Sequence, residues 1–206
     1  MEHADWADER MPELFPGIRL DRNPKSFSAA EATGLLKLLV RSAKGLADDA
    51  NVLLGHNRYP RAAALAVLSF EEIGKLEPVA RLVGVTDQRE IARRWRALFD
   101  HSAKSARIAG VPPYITDPDQ IRLWNDARRK FGRNLNELKQ AALYVNCFGD
   151  GNWMSPEDVF GVRGRIDRTN VRILVKLARA MASATRDWLN TSPDPIGILC
   201  RDQDLE

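Results

Sequence analysis

The sequence is poor in the residues that build disulfide frameworks and metal centres. Its 206 residues include two cysteines, Cys147 and Cys200, and three histidines. The cysteines lie far apart and lack the spacing of metal ligands, so neither a disulfide scaffold nor a zinc site is expected. Free thiols are typical of reducing compartments, and we therefore expect a cytoplasmic protein.

Long apolar runs are also missing. The longest one is too short to cross a bilayer, and the acidic start at Met1–Asp5 is unlike a signal peptide. We therefore expect no membrane association. Phosphate-binding glycine loops, H-E-x-x-H segments and Glu-x-x-His pairs are absent from the sequence. Because these motifs are missing, we expect no metal site and no other cofactor.

The charge is nearly balanced overall but uneven along the chain. The net charge is +3, and 44% of the residues are hydrophobic, which is ordinary for a globular protein. Basic residues are concentrated in stripes. A basic stripe is typical of a surface that binds a polyanion, but it also occurs on solvated helix faces. Two segments carry such stripes: Arg89, Arg93, Arg94, Arg96, Lys104 and Arg107 in one, and Arg163, Arg165, Arg168, Arg172 and Lys176 in the other.

Apolar residues recur at helical spacing through most of the chain, and no useful stretch alternates with period two. The pattern predicts an irregular arm at residues 1–27, a helical domain at 28–190 and a poorly ordered tail at 191–206. The predicted fold is an all-α bundle of four to five long helices with short extra helices.

Helix boundaries can be placed from capping residues. A capping box at Ser28–Glu31 opens a first helix that extends to about Gly55. Pro60 starts a second helix, and Asp87 caps a third that is expected to reach Ala109. A last long helix follows Asp167.

The second helix carries the most informative residues. Ala62–Phe70 is apolar on every side, which predicts that this helix lies inside the molecule. The helix ends in Glu71–Lys75 (Glu-Glu-Ile-Gly-Lys). Helical spacing places Glu72 at the edge of the buried face and points Glu71 away from it, where it would pair with Lys75 four residues on.

The third helix is expected to carry a basic row of Arg94, His101 and Lys104 beside its buried face. If the second and third helices are neighbours, Glu72 faces His101 or Arg94. A carboxylate there would fix the imidazole tautomer for acid/base chemistry. The alternative is a structural polar seam that aligns the two helices, and the residue types alone favour that alternative.

Three segments resemble the AbiV family of bacterial abortive-infection proteins, within the HEPN superfamily of helical domains. They are Gly55–Lys75, Phe99–Lys104 and Leu138–Val145, in that order. The Glu-Glu-x-Gly-Lys end of the alanine-rich helix is the most specific part, and the resemblance covers about residues 30–160. It implies a HEPN-type bundle and a role in phage defence.

The resemblance extends to the Arg-x4-6-His motif of many HEPN domains, which Arg96 and His101 satisfy. It implies metal-independent RNA cleavage, with His101 in acid/base catalysis and Arg96 on the scissile phosphate. Glu72 would orient the histidine. Three further cations would bind phosphate or stabilise the transition state, namely Arg94, Lys104 and Lys75.

The sequence departs from the motif in two ways. In one unbroken helix Arg96 and His101 would lie about 140° apart, so a homodimer would be needed to bring them together. Ala97 stands where active members often have a polar residue, and Asn146 stands where we expect an aspartate. A second hypothesis therefore stays open, in which a non-catalytic module binds RNA or a phage or host protein and blocks translation.

Overall fold

The computed structural model describes residues 23–99, 133–161 and 164–201, and these residues are largely helical. The prediction of an all-α fold is confirmed. A short antiparallel ribbon pairs β1 (Asn146–Cys147) with β2 (Trp153–Met154). The helices are α1 (Ala29–Gly55), α2 (Tyr59–Ile73), α3 (Leu76–Ala80), α4 (Gln88–Ala97), α5 (133–143), α6 (Pro156–Val159), α7 (Arg168–Thr191) and α8 (Pro195–Arg201).

The centre of the bundle is formed by α1, α2 and α7, which pack against one another. Alanines line these contacts, and small side chains let helix axes approach closely. Larger apolar side chains such as Phe70 and Leu36, both 0% exposed, fill the space around them. The fully buried alanines are Ala32, Ala43, Ala47 and Ala50 of α1, Ala62, Ala63 and Ala66 of α2, and Ala178 and Ala182 of α7.

The prediction that the second helix is deeply buried is confirmed. Eleven of the fifteen residues of α2 are buried, whereas α1 buries only a stripe along one side. Two of the buried residues are polar. Ser69 satisfies its hydroxyl by donating a 2.8 Å hydrogen bond to the carbonyl of Ala43 on α1, and Glu71 forms an ion pair described below.

Local hydrogen bonds set the helix starts where the sequence predicts them. Ser28 and Glu31 form the expected capping box, in which each side chain accepts from the backbone of the other. Asp87 accepts a 2.7 Å hydrogen bond from the Glu90 backbone and caps α4. Asp167 caps α7 in a similar way.

The helix that Asp87 was predicted to start is α4, and it ends at Ala97. The remainder of its predicted range, from residue 100 to Ala109, lies outside the described residues. The backbone N–H groups of Leu98 and Phe99 donate to the carbonyls of Trp95 and Arg96, three residues back. Such bonds tighten the last turn of a helix and end its regular ladder.

Part of the predicted tail is helical. Residues 195–201 form α8, and Ile196 and Leu199 pack against the cluster that contains Leu36 and Leu189. The prolines and acidic residues of this segment predicted disorder, but Ile196 and Leu199 cover part of an apolar surface. Burial of that surface outweighs the weak local preference.

Candidate functional site

Glu72 and Lys75 lie where α2 gives way to α3. The Lys75 ammonium forms an ion pair with the Glu72 carboxylate, and the two side chains are 25% and 19% exposed. Gly74 ends α2 between them. The two predicted site residues are therefore brought together, but they neutralise each other.

Glu71 behaves differently from the prediction. It neither points away from the core nor pairs with Lys75, because it is only 2% exposed and forms an ion pair with Lys139 of α5. The helical-wheel argument assumed one buried face on α2, whereas α2 is covered on several sides. The predicted pair of Glu71 with Lys75 is wrong.

A sequence signal for this buried pair does exist. Leu135, Lys139 and Ala142 are spaced by four and three residues, which places them on one line of α5. All three are buried. A lysine in the apolar stripe of a helix needs a partner, since an unpaired buried charge is expensive.

Arg94 does not face Glu72. Its Nε donates a 2.5 Å hydrogen bond to Glu90, and its Nη1 donates to the carbonyl of Arg81 at the end of α3. Ile91 and Trp95 pack with Leu82 and hold α4 in this position. The predicted contact between Glu72 and Arg94 is therefore wrong, and Arg94 instead ties α4 to the end of α3.

Glu90 is shared by two arginines. It accepts two 2.6 Å hydrogen bonds from Arg93 as well as the bond from Arg94. These bonds, first from Arg93 and then from Arg94, lower the pKa of the Glu90 carboxyl from 4.5 to about 2. The carboxylate is therefore ionised in the folded protein throughout the neutral and mildly acidic range.

The stability of the protein should reflect this lowered pKa. A carboxyl whose pKa falls on folding stabilises the folded state above its unfolded pKa and loses that effect as the pH falls through the folded value. We expect Glu90→Gln to melt below the wild type at pH 7, and the difference to shrink as the pH drops from 4.5 towards about 2. Thermal melts across this range provide the measurement. An undiminished difference at acidic pH would contradict the linkage, and Glu137→Gln on α5 serves as an exposed control.

Arg96 is exposed at the end of α4, and within the described ranges no ion pair or hydrogen bond involves its side chain. Its neighbours Trp95 and Phe99 have ring centroids 6.2 Å apart, and Phe99 is 53% exposed. Because α4 ends at Ala97, the angle calculated for an unbroken helix no longer applies to Arg96 and His101. His101 and Lys104 themselves lie outside the described residues.

Asn146 caps the end of α5. The Asn146 side-chain amide donates to the carbonyls of Gln140 and Tyr144, at 2.9 and 2.7 Å. It thereby satisfies carbonyls that the helix leaves open. Tyr144, at the same end of the helix, is 56% exposed.

Within the described ranges, no three histidine, cysteine, aspartate or glutamate side chains group together as metal ligands would. None of the helices described there is both long and apolar enough to cross a membrane.

The described residues form an all-α bundle, which is consistent with a helical domain of the HEPN type. The AbiV family model matches residues 31–180, which is most of the chain and includes both α2 and α4. The chain therefore belongs to the AbiV family of abortive-infection proteins, which act in phage defence. Searches among curated proteins and among solved structures found no match.

Proposed function

We propose that the protein defends against phage by cleaving RNA at the end of α4. Arg96 binds the scissile phosphate, and His101 is the acid/base group of the Arg-x4-6-His motif. One observation carries this proposal: among the cations of the predicted site that the structure describes, Arg96 is the exposed one without an ion-pair partner. Arg94 is held by Glu90, and Lys75 by Glu72.

The reaction needs no metal ion. The ribose 2′-hydroxyl attacks the adjacent phosphorus while a base removes its proton. The bond to the 5′-oxygen breaks, and that oxygen takes up a proton. The products are a 2′,3′-cyclic phosphate and a 5′-hydroxyl, and a histidine serves this proton transfer because it titrates near neutral pH.

The remaining predicted residues have supporting roles in this proposal. Arg96 and Lys104 place positive charge beside the pentacoordinate phosphorus of the transition state. Glu72 and Lys75 act as a pair at the junction of α2 and α3, with Glu72 orienting His101. Arg94 is a positioning residue, because its bond to the Arg81 carbonyl fixes α4.

The predicted homodimer is also part of the proposal. The end of α4 at Ala97 removes the geometric need for a second copy to bring Arg96 and His101 together. The dimer now depends on the resemblance to HEPN domains, which often complete their sites in pairs.

The second function is binding without catalysis, and an exposed apolar surface favours it. Leu143, Tyr144 and Val145 follow one another at the end of α5, and Trp153 of β2 is 72% exposed. Large exposed apolar side chains in one region are typical of protein interfaces. In this alternative a phage or host protein docks there, and translation stops by occupancy.

Incubation of the full chain with total RNA in EDTA tests the first function. We expect fragments with cyclic phosphate ends, and a rate for His101→Ala that is lower by about 100-fold or more, which is typical of lost acid/base catalysis. Arg96→Gln should also slow cleavage. Arg89→Gln is the matched control, because Arg89 is an exposed arginine of the same helix, and it should cleave at the wild-type rate.

The outcome for phage resistance separates the two functions. Loss of resistance in folded His101→Ala supports cleavage. Intact RNA together with full resistance of His101→Ala cells would contradict it. In that case, loss of resistance in Trp153→Ala would support the binding alternative.

A further inference from the structure

A groove of about 240 Å³ lies between α1 and α7, outside the proposed catalytic residues. Val40 and Leu189 form its floor, and both are nearly buried, at 2% and 6% exposed. Its remaining lining is polar and consists of Asn190 and four cationic residues. The cations are Lys37, Arg41 and Lys44 from α1 and Arg186 from α7.

The spacing of the cations follows from the two helices. Lys37, Arg41 and Lys44 are separated by four and three residues, so they project from one line of α1. Ala43 and Ala182 are fully buried in the cluster of residues where α1 and α7 meet. The small side chains bring the two helices close enough for Arg186 to stand opposite the α1 row.

Carboxylates only partly neutralise the groove. Lys44 pairs with Asp48 at 2.5 Å, and Arg186 pairs with Asp187 at 2.9 Å. The Lys44 hydrogen bond lowers the pKa of the Asp48 carboxyl, so this carboxylate stays charged. Lys37 and Arg41 are exposed and have no ion-pair partner within the described ranges. Positive charge therefore remains in excess.

The positive charge continues along α7. Arg172, Lys176, Arg179 and Arg186 are spaced by four, three and seven residues, which keeps them on one side of the helix, over about 21 Å. Arg179 reaches Asp48 of α1 at 3.4 Å, so this side of α7 faces α1. The cations thus form a track rather than a single point.

We propose that the α1–α7 groove binds the sugar-phosphate backbone of a single-stranded nucleic acid. A volume of about 240 Å³ is smaller than that of pockets that enclose a whole small ligand, which are about 300 Å³ or more. The groove therefore suits a short part of a longer chain. Cations in a line contact successive phosphates, and no aromatic ring lines the groove to stack on bases. Binding here does not depend on the sequence of the nucleic acid.

Fluorescence anisotropy with the full chain in EDTA tests this inference. The probes are labelled single-stranded RNA and DNA of one sequence, about 20 nucleotides long. We expect Lys37→Gln/Arg41→Gln to weaken binding about tenfold or more at ~50 mM salt. The slope of log affinity against log salt should fall by about 1.4, because single strands lose about 0.7 per phosphate contact.

The control removes the same charge elsewhere. Arg61→Gln/Arg133→Gln replaces two exposed arginines on α2 and α5, and it should change the affinity by about twofold at most, because these residues do not line the groove. Equal binding of RNA and DNA assigns the contacts to phosphates, and a preference for RNA adds a contact to the 2′-hydroxyl. Both results support binding in the groove, provided that Lys37→Gln/Arg41→Gln loses affinity and the control variant does not.

Three results would overturn the inference. They are no binding of either oligonucleotide by the wild type, equal losses in the two double variants, or binding to vesicles of anionic lipid in place of oligonucleotides. The test measures binding alone. A protein that binds RNA through the groove without cleaving it would support this inference and contradict the proposed catalysis.

Discussion

Replacing Lys139 with methionine should lower the free energy of unfolding by about 3–5 kcal/mol, because it removes an ion-pair partner of the buried Glu71 carboxylate. The Lys139 and Glu71 side chains are only 5% and 3% exposed. Water cannot readily solvate the remaining charge. Urea unfolding of the purified variant measures the loss. Lys176→Met, at an exposed lysine of α7, should change stability by about 0.5 kcal/mol or less.

The double variant Glu71→Met/Lys139→Met distinguishes a lost pair from lost packing. The double variant removes both charges of this pair, so we expect it to be more stable than Lys139→Met. Additive losses in the cycle would show that the two side chains do not interact. This pair joins α2 to α5 across 68 residues of sequence, so it also helps to position the segment that follows α5.

Leu36→Ala should destabilise the protein by about 2–5 kcal/mol, whereas Leu38→Ala should change stability by about 0.5 kcal/mol or less. Both leucines belong to α1 and undergo the same change of side chain, so the helix propensity term is the same. They differ in burial, since Leu36 is fully buried and Leu38 is 56% exposed. Urea unfolding measures the difference. Similar losses for the two variants would contradict the packing of α1 described above.

The Leu36 variant also tests what holds the candidate site. Leu36 belongs to the cluster that includes Ile73, which lies between Glu72 and Lys75, and Leu76 and Val79, which follow Lys75. A cavity at Leu36 should therefore loosen the junction of α2 and α3. We expect hydrogen exchange at this junction to rise in Leu36→Ala more than in Leu38→Ala, because local opening follows the loss of buried contacts.

The candidate site was only partly predictable from the sequence. Glu72 is half-buried, as its predicted position at the edge of the buried face requires. Its ion-pair partner is Lys75, however, and not Arg94 of α4. The sequence offered both Arg94 and Arg96 as residues that bind phosphate. Glu90 lies four residues before Arg94 and forms an ion pair with it, whereas Arg96 stays exposed. Side-chain rotamers and the angle between α3 and α4 decide this choice, and neither is encoded in a helical wheel.

What the sequence by itself determined is local. The starts of α1, α4 and α7, the burial of α2 and the all-α class follow from side chains that bond to their own backbone and from apolar residues at helical spacing. Only the tertiary structure decided which charges are neutralised and which stay free. The Glu71–Lys139 pair, the α1–α7 groove and the packing of α8 depend on residues far apart in the chain. Their energies come from desolvation and contact between helices, which no local pattern contains.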